Sequence, residues 1–298
     1  MMNEKALKSE KFIRLSDGRK LGYMEYGARS GFPMLALHGT PGSRIWFKDD
    51  DDTSKELGIR LITVDRPGYG ISDEKKGRKI SDFNHDIDQL VNHLDLNHFS
   101  IFGVSGGGPY ALSYATMVNS KLFKVGMVAS AYELNKGKLP KEMCLTNKFG
   151  FILSKYFPFI LQFSYAQQKK ILDSHPKLYI DSVQRQISHL CPSDQEVLKN
   201  EDACAAMALQ MREAFRFSTK TPVYELRILQ TKWEFEFLKI DTSVIVWHGE
   251  NDTLSPISGL KDFIKRIPKC ETHFLKGKGH FLDEDPEIWK CILNSLKP

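Results

Sequence analysis

The chain of 298 residues has only five cysteines, an odd number, and none share a Cys-x-x-Cys spacing: Cys144, Cys191, Cys204, Cys270 and Cys291 are scattered. That pattern argues against a disulfide framework and against a zinc site. The histidines form no metal-ligand grouping either, so the expectation is no metal and no cofactor. No uncharged run is long enough to span a bilayer. The opening Met1-Met2-Asn3-Glu4-Lys5-Ala6-Leu7-Lys8 alternates charge where an export signal would carry an apolar stretch. These absences predict no integral membrane association and a reducing, cytoplasmic setting. Charge of one sign is scarce as well. The formal net charge is +5 with the basic residues dispersed, which gives no support to a nucleic-acid surface. The one acidic run, Asp49 to Asp52, lacks the other ligands of a metal loop and reads as a solvated loop or helix start. Internal repeats and low-complexity segments are missing too.

What is present is a 41% hydrophobic composition in a chain long enough for one large core carrying a sizeable insertion. Short apolar strands alternate with helix-length amphipathic segments, which predicts an α/β fold with a mostly parallel sheet covered by helices on both faces. An opening hairpin runs from Phe12-Ile13-Arg14-Leu15 through Ser16-Asp17-Gly18 to the stretch from Leu21 to Tyr26. Buried-type strands follow at Pro33 to Leu37, Ile59 to Val64, His98 to Phe102 and Phe123 to Ala129. Ser81 to Leu96 reads as a helix with Ser81 as its N-cap. From about Ala131 to Lys239 the alternation stops and the sequence turns aromatic-rich and helix-like. Strands resume at Val244 to Trp247 and Thr272 to Leu275, with helices from Pro256 to Ile267 and from Asp285 to Leu296. The expected organisation is therefore a core of residues 1–130 and 240–298, eight strands in all, with a helical cap inserted at 131–239.

The segment Gly103-Val104-Ser105-Gly106-Gly107 lies between a strand and a helix. A Gly-x-Ser-x-Gly turn there is tight, needs glycine for backbone freedom and close approach, and holds the serine hydroxyl out toward substrate. A serine hydroxyl is a poor nucleophile until a base takes its proton and a third group orients that base. Downstream, His248-Gly249-Glu250-Asn251-Asp252 and Lys278-Gly279-His280-Phe281 each leave the end of a strand. In a parallel sheet the strand ends lie along one edge, so Ser105, Asp252 and His280 can meet. Glu250 and Glu133 stand as alternative acids. The oxyanion donors expected are the backbone N–H of Gly106 and that of Thr40, in the sharp loop His38-Gly39-Thr40-Pro41-Gly42-Ser43. His38 is expected to orient this loop and Asp65-Arg66 to buttress it.

The pieces His38-Gly39-Thr40-Pro41-Gly42, Asp65-Arg66-Pro67-Gly68-Tyr69-Gly70-Ile71-Ser72, the Ser105 turn, Gly249-Glu250-Asn251-Asp252 and Gly279-His280, in that order, resemble the α/β-hydrolase superfamily. The resemblance implies a metal-independent hydrolase with a Ser-Asp-His triad and a lid between the sixth and seventh strands of the main sheet. Members built as dehalogenases or epoxide hydrolases carry aspartate where this chain has Ser105. Proline iminopeptidases are similar in the first turn but show a second Gly and a Trp where Thr40 and Gly106 stand here.

The function expected is a serine esterase acting on small-molecule esters. The alternatives are an iminopeptidase or amidase, or a low-turnover ligand receptor on the same scaffold. The apolar cap segment from Phe149 to Leu161 is expected either to pack on the core or to line a pocket for apolar acyl or alcohol groups. Pro158 interrupts any long amphipathic helix there, which weighs against a membrane-surface role.

Overall fold

A computed structural model describes residues 10–117, 119–134 and 137–298. Eight strands form one sheet: β1 (Lys11–Arg14), β2 (Lys20–Gly27), β3 (Phe32–Leu37), β4 (Ile59–Val64), β5 (Phe99–Val104), β6 (Leu122–Val128), β7 (Ser243–Gly249) and β8 (Cys270–Leu275). Their order is β1-β2-β4-β3-β5-β6-β7-β8, with β2 antiparallel to both neighbours and every other pair parallel. The expected mostly parallel eight-stranded sheet is the one observed.

Strands β4 and β5 are buried along almost their whole length, with Arg60, Thr63 and Ser100 their only polar residues, because both faces of the sheet are covered. Period-two alternation divides β3 between them: Leu35 and Leu37 enter one core cluster, Met34 and Ala36 the other. The first cluster is closed by α2 (Asn84–His93), α3 (Gly108–Tyr114) and α10 (Ile257–Ile264), the second by α11 (Pro286–Ser295) with its buried Trp289 stacked on Phe47. α1 (Asp51–Glu56) begins within the acidic run.

One local expectation fails. Regular α-helix starts at Asn84, after a single 3₁₀ turn over Ser81–Phe83, and Ser81 makes no capping hydrogen bond. The side chain that closes this corner is Asp82, whose carboxylate accepts from the Lys79 N–H at 2.7 Å.

Between β6 and β7 the chain leaves the sheet and builds α4 (Leu145–Tyr156), α5 (Pro158–Ser174), α6 (Pro176–Arg185), α7 (Pro192–Lys199), α8 (Glu201–Ala214) and α9 (Lys220–Leu229). Pro158, Pro176 and Pro192 each occupy a first helical position, where the missing N–H is not needed and the fixed φ suits a helix start. Pro158 thus begins a helix rather than spoiling one.

Strand β3 lies between β4 and β5, so the chain turns in opposite directions at the ends of β3 and β5. The crevice at such a switch point is where open α/β sheets receive ligands. The loops that leave it carry Thr40 and Ser105.

Candidate active site

Ser105 follows β5 directly and has φ +52°, a left-handed conformation rarely adopted outside glycine. Its neighbours make room for it. A Cβ at Gly103 would run into the Gly107 carbonyl, and one at Gly107 would strike the Leu37 carbonyl oxygen. The turn is thereby packed against β3, and the Ser105 side chain opens onto a cavity of about 430 Å³.

Thr40 and Gly106 meet at this point. A Cβ added to Gly106 would lie 3.3 Å from the Thr40 nitrogen and 2.8 Å from its Cβ. Both residues line the cavity, with Ser105 and His280. His280 donates from Nδ1 to Asp252 Oδ2 at 2.7 Å, which leaves Nε2 as the acceptor nitrogen. Asp252 Oδ1 is held by the N–H groups of Leu254 and Ser255, each at 2.8 Å. Among the described residues no hydrogen bond joins Ser105 to His280; they share the cavity wall. The alternative acids lie elsewhere: Glu250 is exposed, and Glu133 accepts from the Trp233 N–H and pairs with Arg266.

Burial disfavours a charged His280, but the Asp252 carboxylate and its hydrogen bond outweigh that, with Asp194 and Asp283 adding, and hold the imidazole above its ordinary range. Burial likewise pushes Asp252 up, while His280 and the backbone donors bring it below the usual carboxylate range. His248 lies 3.4 Å from the same carboxylate, but its Nε2 donates to the Ser255 carbonyl and burial keeps it neutral. His38 is also neutral: its Nδ1 donates to the Gly39 carbonyl and its Nε2 accepts from the Arg66 N–H at 3.2 Å.

Two acids from the inserted helices reach the site, and neither was anticipated from sequence. Glu225 on α9 is fully buried and accepts six hydrogen bonds, three on each oxygen. The donors are Arg66 twice, Arg78, Tyr69, Tyr110 and the Thr40 hydroxyl, the last at 2.7 Å. Arg66 also holds the Gly39 carbonyl at 3.0 Å, so Glu225 fixes the Thr40 loop directly and through Arg66. Burial raises the Glu225 carboxyl, but Arg66 and Arg78 outweigh it and keep the group well below the ordinary range. The second acid is Asp194 on α7. Its carboxylate accepts from the His280 N–H at 2.9 Å and the Phe281 N–H at 3.2 Å, while the Ser193 hydroxyl takes the Gly279 N–H.

The insertion also supplies most of the cavity wall: Met143 ahead of α4, and Phe149, Phe151, Leu153, Leu161 and Leu226 on its helices, line it. No group of three or more metal-ligating side chains occurs among the described residues.

The profile of the alpha/beta hydrolase fold family matches residues 33–285, most of the chain and all of the loops just described. The chain belongs to the alpha/beta hydrolase fold family. Within it, the chain is similar to the AB hydrolase superfamily protein YisY of Bacillus subtilis, at 22% identity over 88% of this chain and 90% of that protein. Among solved structures it is similar to an esterase from Exiguobacterium antarcticum (TM-score 0.69, 18% identity, 96% of this chain and 98% of that one). A bromoperoxidase from Bacillus anthracis is equally similar, with a TM-score of 0.68 and 19% identity over 97% of this chain and 99% of that one. At these identities the structural likenesses establish the alpha/beta hydrolase fold and nothing finer.

Proposed function

We propose that the chain is a serine esterase that hydrolyses small carboxylic esters with an apolar acyl or alcohol group through an acyl-enzyme. The observation that supports this reading is the 2.7 Å contact between Asp252 and His280 Nδ1, which leaves Nε2 free to act as base in a cavity that His280 and Ser105 both line. Ser105 attacks the ester carbonyl while His280 Nε2 takes its proton, and Asp252 stabilises the imidazolium formed. The N–H groups of Gly106 and Thr40 hold the developing oxyanion. His280 then returns the proton to the leaving alcohol, and finally draws one from the water that releases the acid. The apolar side chains of the cavity wall favour an apolar acyl or alcohol group. Core residues 1–130 and 240–298 supply the chemistry in this reading, and the cap of residues 131–239 supplies the selection.

Ser105→Ala should abolish turnover of short p-nitrophenyl esters and labelling by a fluorophosphonate probe, with the circular dichroism spectrum unchanged. Retained turnover would exclude Ser105 as nucleophile. Release of free proline from prolyl-anilides faster than cleavage of esters would reassign the protein to iminopeptidase chemistry. Slow labelling of the native protein beside tight reversible ligand binding would favour a receptor.

A further inference from the structure

Much of the apolar cap segment is left exposed. Eight of the thirteen exposed large hydrophobic side chains among the described residues fall between Leu145 and Phe163. On α4 they recur as Leu145, Phe149, Ile152 and Tyr156, a single helix face. Phe159 and Phe163, 82% and 65% exposed, continue the patch one turn apart on the adjoining α5. The patch is contiguous with the catalytic cavity: Phe149 lines that cavity and is still 59% exposed. Solvent-facing helices of ordinary globular proteins do not carry apolar residues at this density.

The stretch that carries the patch has charge of one sign. From residue 143 to residue 172 there is no Asp or Glu, whereas Lys148, Lys155, Lys169 and Lys170 all fall in that stretch. Lys141, Lys148 and Lys155 have no carboxylate within ion-pair distance among the described residues. Lys155 also lines a neighbouring groove of about 900 Å³ in which it joins Lys138, Lys141, Lys232 and Arg266 against two acids, Glu133 and Asp262.

We infer that the α4–α5 face docks on an anionic lipid surface and that the protein takes its ester from that surface into the cavity beside Phe149. Apolar side chains flanked by lysines, on helices lying side by side, have the form of an in-plane membrane contact. No helix among the described residues is long and apolar enough to cross a membrane, so the contact is peripheral. Self-association through the same face is disfavoured by charge. A two-fold interface would bring the unpaired lysines of both copies together with no acidic residue of the stretch to oppose them. The inference rests on the esterase reading for its purpose, but docking itself needs no turnover and is measurable on the Ser105→Ala protein.

The experiment is co-sedimentation of Ser105→Ala protein with vesicles of phosphatidylglycerol and phosphatidylcholine, against vesicles of phosphatidylcholine alone. Binding should be at least tenfold stronger to the anionic vesicles and should weaken with added salt. Adding F159S/F163S should reduce it tenfold or more, and adding K148Q/K155Q about fivefold per lysine. In the Ser105 background, F159S/F163S should slow hydrolysis of a vesicle-held long-chain ester while leaving soluble p-nitrophenyl acetate unaffected. Equal, weak binding to both vesicle types would overturn the proposal. So would a dimer in sedimentation velocity that F159S/F163S dissolves while vesicles are ignored, since the face would then join two copies. Anionic-vesicle binding by a native protein that turns over no soluble ester would count against the esterase reading alone.

Discussion

Replacing Glu225 by Ala tests whether the Thr40 loop is held from above. In the native protein the Glu225 carboxylate is the shared partner of two fully buried guanidinium groups, Arg66 and Arg78, at 2.7 and 3.1 Å. Removing one member of a buried ionic cluster leaves charges without compensation and costs about 3–5 kcal/mol. Against a total stability of about 5–15 kcal/mol, the variant should fold but with much reduced margin. At about 2–4 °C per kcal/mol for a chain of this size, the thermal midpoint should fall by about 6–20 °C. Activity should fall for a separate reason. The Thr40 hydroxyl loses its acceptor and keeps only the Arg66 donor, itself deprived of its carboxylate, so the Thr40 N–H is held less firmly. Outright removal of an oxyanion donor lowers kcat by about 100–1000-fold, so a loosened one should cost about 10–100-fold, expressed in kcat rather than KM. The assays are calorimetry and kcat and KM on a soluble ester well below the new midpoint. A midpoint within 2 °C of wild type, or full kcat, would refute the assignment. Because Glu225 is held below the ordinary carboxylate range, its contribution is present above the unfolded value and lost only as pH falls through the folded one. The effect should therefore be unchanged between pH 6 and 8.

The acidic limb of kcat/KM should lie above the ordinary histidine range, because protonated His280 cannot act as base and Asp252 stabilises that proton. In Asp252→Asn the limb should move to lower pH while kcat falls by about 1000-fold or more; an unmoved limb would mean that another acid orients His280. Asp194→Ala should lower kcat by about tenfold with KM nearly unchanged, since it frees the backbone at His280 and Phe281 without touching substrate; restored kcat in Asp194→Asn would mark hydrogen bonding rather than charge as the active feature. In a series of p-nitrophenyl esters, two to four added carbons should raise kcat/KM tenfold or more at about 0.8 kcal/mol per methylene. Leu153→Asp in the cavity wall should flatten that trend, and a steady decline from acetyl onward would mean a closed pocket.

The sheet and the Ser105 turn were legible because their signals are local. β4 and β5 are mainly apolar runs, and the Gly residues around Ser105 answer to a backbone that must come within contact of β3. Choosing among Glu133, Glu250 and Asp252 was not a local matter: all three follow strands, and only the packed loops bring Asp252 to His280. The helix start at Asn84 eluded Ser81 because the corner uses a backward bond from Asp82 to Lys79. Glu225 left a faint trace. It shares the stripe of Thr221, Pro222, Ile228 and Leu229, all buried or nearly so, and an acid on an apolar helix face asks for a buried partner. Asp194 left none, since an acid in the first turn of a helix ordinarily needs no explanation beyond the helix dipole.

The six bonds on Glu225 also govern how the molecule can come apart. Arg66 and Arg78 belong to loops of the sheet, but the anion that permits their burial arrives with α9, late in the chain. A shortened protein in which β6 is spliced to β7 would leave both guanidinium groups without the carboxylate they share. Such a miniature would not keep a native core, and unfolding of the full chain should be a single transition by both tryptophan fluorescence and helical signal. An insertion of this kind is a co-owner of the hydrophobic core's stability, and it cannot be exchanged for a relative's without bringing along an acid at the same place.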